Sequence, residues 1–343
     1  MSRRRTAAIA VLTATLSILS VTGPVSAGVG AAEEILGGKP DQFGPGATEV
    51  GAETWVGWSQ FVRPTVTAHV KVLPPAAADH RTLRRRAGSN TFFGGFEGED
   101  AIFQEARRRN SSVFLYDIPT DAPSASPAGI NTELWEWAPD ISAGFILFGR
   151  NSFDRDRSPW KVMLYDRVAQ TFQKLDSVRN RCGCIFPESV SERYAAWTTC
   201  EGIRCQVWVH DTATQTTRKV PNPRRQQYGA AVTDDGQVYF VRSKRGCGAN
   251  PQIRRWEFGG GPTTTLIFDF PNGTDLRAGM DVLEGVTDDD LYFDRFTCSD
   301  RRFRGNVYRI DGANMLAPLR APDGAAAASG PAWQARLVGA RPS

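Results

Sequence analysis

The apolar positions of this chain fall in short alternating runs, broken by Gly, Pro, Asn and Asp, and helical periodicity is scarce after residue 28. That pattern predicts strands. One phrase recurs six times: a polar residue, Val or Ile, two variable residues, a large residue and usually an acid. The copies are His69–Pro74, Ser112–Asp117, Lys161–Asp166, Gln206–Asp211, Gln252–Glu257 and Asn306–Asp311. Their Val/Ile positions are 70, 113, 162, 207, 253 and 307, so the spacings are 43, 49, 45, 46 and 54 residues. A second apolar run precedes each copy, for example Phe145–Arg150 and Val238–Ser243. A third run lies before several of these, as in Trp135–Ser142, Ile185–Ser191 and Tyr228–Gly236, and a more variable fourth follows, as in Gln170–Leu175.

Four strands in a unit of roughly 45 residues is the arithmetic of a propeller blade. One such sheet cannot cover both of its apolar faces, whereas radial stacking covers them and leaves only short edges. The expected fold is all-β, a six-bladed β-propeller of four-stranded antiparallel blades spanning 46–320. Residues 28–45 are rich in Gly and Pro and read as a flexible lead. Residues 321–343 read as a tail that could add an edge strand.

The first 27 residues carry a different pattern. Arg3, Arg4 and Arg5 precede the apolar stretch Ala7–Val21, and Val25-Ser26-Ala27 fits a small-x-small cleavage site. This predicts a signal peptide and a secreted or cell-envelope location, with no stable membrane insertion after cleavage. Sec and twin-Arg export remain alternatives. Cleavage would leave 38 basic against 37 acidic residues. That balance argues against a nucleic-acid partner or an anionic-membrane surface. A monomer is expected.

All six cysteines lie between 182 and 298. Behind an export signal they predict disulfides. Cys200 and Cys205 flank a hairpin turn and form the natural pair. Cys247 and Cys298 hold matching places in successive repeats, which leaves Cys182 with Cys184, a strained pairing. A zinc site on Cys182, Cys184, Cys200 and Cys205 is the alternative, though the usual two-Cys knuckle is missing.

The repeats resemble those of TolB-type six-bladed propellers over about residues 46–320. The phrase Val232-Thr233-Asp234-Asp235-Gly236-Gln237-Val238-Tyr239-Phe240 carries the likeness best, and Ile141-Ser142-Ala143-Gly144 keeps part of it. The resemblance implies the propeller module of exported bacterial proteins. The N-terminal α/β domain of TolB has no counterpart in the sequence, so TolB's envelope role is not implied.

Candidate chemistry is sparse. His69 and His210 fall inside repeat strands, His80 stands in a loop, and no G-x-S-x-G elbow occurs. No cofactor is expected. Calcium is conceivable only at Asp288-Asp289-Asp290 or at Asp154 and Asp156, neither of which follows an EF-hand pattern. Aligning the repeats on Ile141, Val190, Val232 and Val286 puts Glu136, Gln227 and Asp281 in one column. With Asn131 and Trp135 nearby, these are the candidate ligand-binding groups at the channel mouth. The expected function is a non-catalytic module binding a protein, small molecule or carbohydrate. The alternative is a hydrolase or lactonase using mouth carboxylates or a metal.

Overall fold

The computed structural model describes residues 32–312 apart from 37–40, 74–79, 109, 153–158, 180–182, 203, 222–224, 245–248, 272, 277–278, 285–288 and 299–304. Residues 1–27, read above as a signal peptide, and 321–343, read as a tail, lie outside the described residues, as do Cys182, Cys247, Asp154, Asp156 and Asp288.

The described chain is all strand and connection. No helix in it is long and apolar enough to cross a membrane. Blade 1 consists of Asp41–Val50, Glu53–Val62, Thr65–Leu73 and Arg81–Leu83. Blade 2 is Asn90–Glu97, Asp100–Arg107, Asn110–Asp117 and Ala122–Ala125. Blade 3 is Trp135–Ile141, Phe145–Asn151, Trp160–Asp166 and Thr171–Val178. Blade 4 is Gly183–Val190, Tyr194–Glu201, Arg204–Asp211 and Thr216–Lys219. Blade 5 is Gln226–Val232, Gln237–Ser243, Gln252–Glu257 and Thr265–Asp269. Blade 6 is Met280–Leu283, Asp290–Thr297, Gly305–Ile310 and, from the other end of the chain, Glu33–Leu36. Pairing within each blade is antiparallel. Four of these units are hydrogen-bonded sheets of their own. Blades 2 and 3 share one sheet through a single parallel pair, Trp135 with Ser111. The innermost strands contact one another in a closed cycle from blade 1 to blade 6 and back.

The recurrent phrase is the third strand of every blade. Its Val/Ile position, Val70, Val113, Val162, Val207, Ile253 and Val307, is 0% exposed in all six. That is why the phrase recurs: the position faces the neighbouring blade, where a β-branched side chain packs on a pleated surface. Aromatics fill the remaining space between blades, as Tyr239, Phe293 and Tyr308 do between blades 5 and 6.

The N-terminal segment departs from expectation. The structure places Glu33–Leu36 as the outer strand of the last blade and starts the first blade at Asp41, inside the stretch read as a flexible lead. The reason is an edge that needs covering. Without this strand, Gly305–Ile310 would expose a row of unpaired backbone groups. Leu36 is buried against Val307, and Glu34 accepts a hydrogen bond of 2.8 Å from the Tyr308 hydroxyl. Leu36→Ala is expected to lower stability by about 2–4 kcal/mol in urea unfolding. A residue in a free lead would show no change.

Candidate channel-mouth site

Each inner strand runs from one mouth of the central channel to the other. In five of the six blades its pairing slips by one residue partway along: at Phe43/Gly46, Phe93/Gly95, Trp137/Asp140, Pro187/Ser189 and Tyr228/Ala231. Such a bulge turns the following side chains to the other face. Gly44, Ala138 and Gly229 take positive φ values of 58°, 43° and 60° at three of them.

The bulges decide what reaches the channel. Glu136 and Asp140 are four residues apart, so an unbroken strand would put them on one face. Instead Glu136 pairs with Arg150 and Asp140 with Leu147, three positions apart on the partner strand, and the two acids face opposite ways. Asp140 opens to the channel. Counted by their partners Ile102, Leu147, Ala196, Tyr239 and Tyr292, the residues at this level in blades 2–6 are Gly95, Asp140, Ser189, Ala231 and Asp281. Gly95 is required there, because a methyl group on it would collide with the Asp140 carboxylate.

The predicted site residues therefore separate. Asp281 lines the channel, in the mouth cavity of about 260 Å³ that also takes in Asp140, Glu97, Glu192, Asp234 and Glu284. Glu136 does not. It is 0% exposed, lies between blades, and pairs with Arg150 at 3.1 Å while accepting from Thr132 at 2.6 Å. Gln227 is also fully buried; it accepts from Gln206 and donates to the Pro221 carbonyl at 2.6 Å. Asn131 extends the sheet of blade 2, exchanging two 2.7 Å bonds with the backbone of Val113. Trp135 begins its strand at the far mouth, beside Ser111.

Asp140 and Asp281 stand on blades 3 and 6, opposite each other in a six-membered ring. Each is anchored to the next blade: Asp140 accepts the Val190 amide at 2.6 Å and Asp281 the Ala47 amide at 2.9 Å. Burial, and then the charge of Asp281, raise the Asp140 carboxyl well above its usual range. Burial lifts Asp281 to about 6.

Further out, carboxylates link blade to blade. The Glu192 amide donates to Asp234 at 2.6 Å, and the Asp234 amide donates to Glu284 at 2.7 Å. Burial pushes Glu284 up to about 7, outweighing the amide it accepts, and neighbouring acids add to the rise. Glu97 is raised by burial despite facing Arg167. Deeper, Glu188 accepts the Gly229 and Ala230 amides and is nonetheless raised by burial to about 7. The mouth thus concentrates six carboxylates from five blades, and their repulsion is held in place by backbone amides.

Other candidates take structural roles. His210 is buried and bonds Thr217 at 2.9 Å. His69 is buried between Thr67 and Thr82, and its ring meets His80 edge-on at 4.6 Å between centroids. Asp289 accepts from the Tyr239 hydroxyl at 2.9 Å, and Asp290 pairs with Arg309 at 2.9 Å. Among the described residues, no group of three or more His, Cys, Asp or Glu is arranged to hold a metal ion.

Cys200 and Cys205 form the expected hairpin disulfide, so they are not zinc ligands. Cys298 is disulfide-bonded as well. The pairing of Cys182 with Cys184 does not hold, because Cys184 is a free thiol.

No protein-family model matches this chain, and no curated protein matches it. Solved structures similar to it include TolB and other β-propeller proteins. TolB from Acinetobacter baumannii aligns at 12% identity over 72% of this chain and 60% of its own, with a TM-score of 0.45. The β-propeller domain of the Trilobed protease from Pyrococcus furiosus aligns at 10% identity over 80% of this chain and 96% of its own, TM-score 0.46. An oligogalacturonate lyase in complex with manganese aligns at 9% identity over 83% of this chain and 100% of its own, TM-score 0.46. The chain thus spans 60% of the length of that TolB. These likenesses concern the fold alone.

Proposed function

We propose that this chain is an exported, non-catalytic binding module whose acidic channel mouth receives a positively charged segment of a protein or peptide. The observation that carries this reading is the convergence of Glu97, Asp140, Glu192, Asp234, Asp281 and Glu284 on one mouth. Low-dielectric walls focus such a field and favour cationic ligands. Lys or Arg entering the mouth would compensate the negative charge gathered there. Export is supported by the leader pattern and by the disulfides, which persist in oxidising compartments.

A second reading, a propeller hydrolase acting on a carbohydrate or small ester, draws on the opposed pair Asp140 and Asp281. Proximity of two carboxylates can keep one protonated as a general acid. Against it, each carboxylate is already anchored to a backbone amide of the next blade.

Calorimetric titration with hexa-arginine tests the first reading. Saturable, salt-sensitive binding is expected, hexaglutamate should show none, and the double variant Glu192→Gln/Asp234→Asn should bind about tenfold more weakly, a change of about 1.4 kcal/mol. Equal affinity of wild type and variant would overturn it. Turnover of chromogenic glycosides or esters that is lost in Asp140→Asn would favour the hydrolase instead.

A further inference from the structure

Blade 4 brings three cysteines into one row. Cys184 on the inner strand is the direct register partner of Cys200 on the second strand, and Cys200 is the partner of Cys205 on the third. Directly opposed residues of an antiparallel sheet project to the same face. The Cα atoms of Cys200 and Cys205 are 4.0 Å apart, which makes them the closer, non-hydrogen-bonded kind of pair. Cys184 and Cys200 then form the wider kind, about 5.5 Å apart, within the span of about 4.4–6.8 Å that a disulfide bridges. Cys205 is a further strand away from Cys184, about 10 Å, so the Cys184 sulfur can reach Cys200 but not Cys205.

Access differs in the same direction. Cys200 and Cys205 are 2% and 3% exposed, whereas Cys184 is half-buried. An outside thiol cannot approach the bridge, and the thiol in register with it belongs to the protein.

We propose that Cys184 and the Cys200–Cys205 bridge form an internal thiol–disulfide exchange site. The Cys184 thiolate attacks the Cys200 sulfur, the Cys184–Cys200 bond forms, and the Cys200–Cys205 bond breaks. Its electron pair leaves on Cys205, which takes up the proton that Cys184 gave to solvent. One disulfide and one thiol remain, so no oxidant or reductant is consumed. The bridge moves from the outer hairpin, Tyr194–Glu201 with Arg204–Asp211, to the inner strand Gly183–Val190, and so changes which strand of the channel wall is stapled.

Burial raises the Cys184 thiol, and only the thiolate attacks. The exchange rate should therefore climb about tenfold per pH unit through the neutral range.

The test uses the full oxidised chain in a Cys182→Ser background, so that any labelling or bridging of the 182–184 segment reports on Cys184. After incubation at rising pH, free thiols are alkylated and the peptides mapped without reduction. The expected result is alkylated Cys205 together with a Cys184–Cys200 bridge, appearing faster at each higher pH. Cys205 that stays unalkylated at every pH, while Cys184 is labelled completely, would overturn the proposal. Adding Cys205→Ser forces the alternative: with oxidised glutathione supplied as the two-electron oxidant, the Cys184–Cys200 bridge should form, and near-UV circular dichroism reports whether the variant keeps its fold. A folded variant with both Cys184 and Cys200 alkylated would equally overturn it.

Discussion

Asp281→Asn makes the folded chain more stable at about pH 8, by about 1–3 kcal/mol, and the gain disappears below about pH 4. The Asp281 carboxyl has a folded-state pKa of about 6, against an ordinary 3.8. Between those values the folded chain holds a proton that the unfolded chain has released. Stability contributed by this group therefore falls as pH rises through the window, and above it the ionised carboxylate is a full liability. An Asn oxygen can still accept the Ala47 amide. The difference between wild type and variant matters because other groups titrate nearby. Burial lowers His69 to about 4, so its neutral form favours folding as pH rises toward 6.5, opposing the carboxylates. Glu188 and Glu284 work in the same sense as Asp281, up to about pH 7. Urea unfolding of both proteins across the pH range measures the effect. A variant less stable than wild type at high pH would show that Asp281 serves as an anchor more than it suffers as a buried charge. A stabilising Asn would also fit a residue kept for binding rather than for folding.

Arg150→Ala is expected to be among the most damaging single changes, at about 3–5 kcal/mol. Arg150 is the cation paired with Glu136, whose side chain is wholly buried. It also donates to the carbonyls of Gly129 and Ile130, at 2.8 and 2.7 Å, and so fixes the loop that carries Asn131. Removing it strands a carboxylate between two blades. The double variant Arg150→Met/Glu136→Gln should be milder than Arg150→Ala alone, because the stranded charge is gone; such non-additivity is the signature of a coupled pair. Both variants should bind hexa-arginine as wild type does, since Glu136 is not at the acidic mouth. Weakened binding in a folded double variant would return Glu136 to the site.

The strand phrases were readable in the sequence because alternation and burial coincide. Val113, Val207 and Ile253 recur in step since each must face a neighbouring blade. The Cys200–Cys205 bridge was readable too, being a local contact across a short turn. Glu33–Leu36 was not. Four residues that begin Glu-Glu are no strand by pattern, and pairing comes to them only from an edge 270 residues away in the chain. The column read from the sequence set Asp281 beside Glu136 and Gln227, whereas Asp281 lines the mouth cavity and the other two are buried away from it. Asp140, the true counterpart of Asp281, was missed. The spacing conceals the match: Asp140 lies seven residues before its partner Leu147, and Asp281 eleven before its partner Tyr292.

From the residues alone follow the all-β class, the repeated four-strand unit and the near-neutral charge of residues 28–343, because these depend on local alternation and composition. Which acids meet at the channel mouth, which end closes the ring and which thiol faces the disulfide were decided only by the tertiary structure. A one-residue bulge reverses side-chain parity, and a ring joins strands from opposite ends of the chain. Neither effect leaves a mark in spacing.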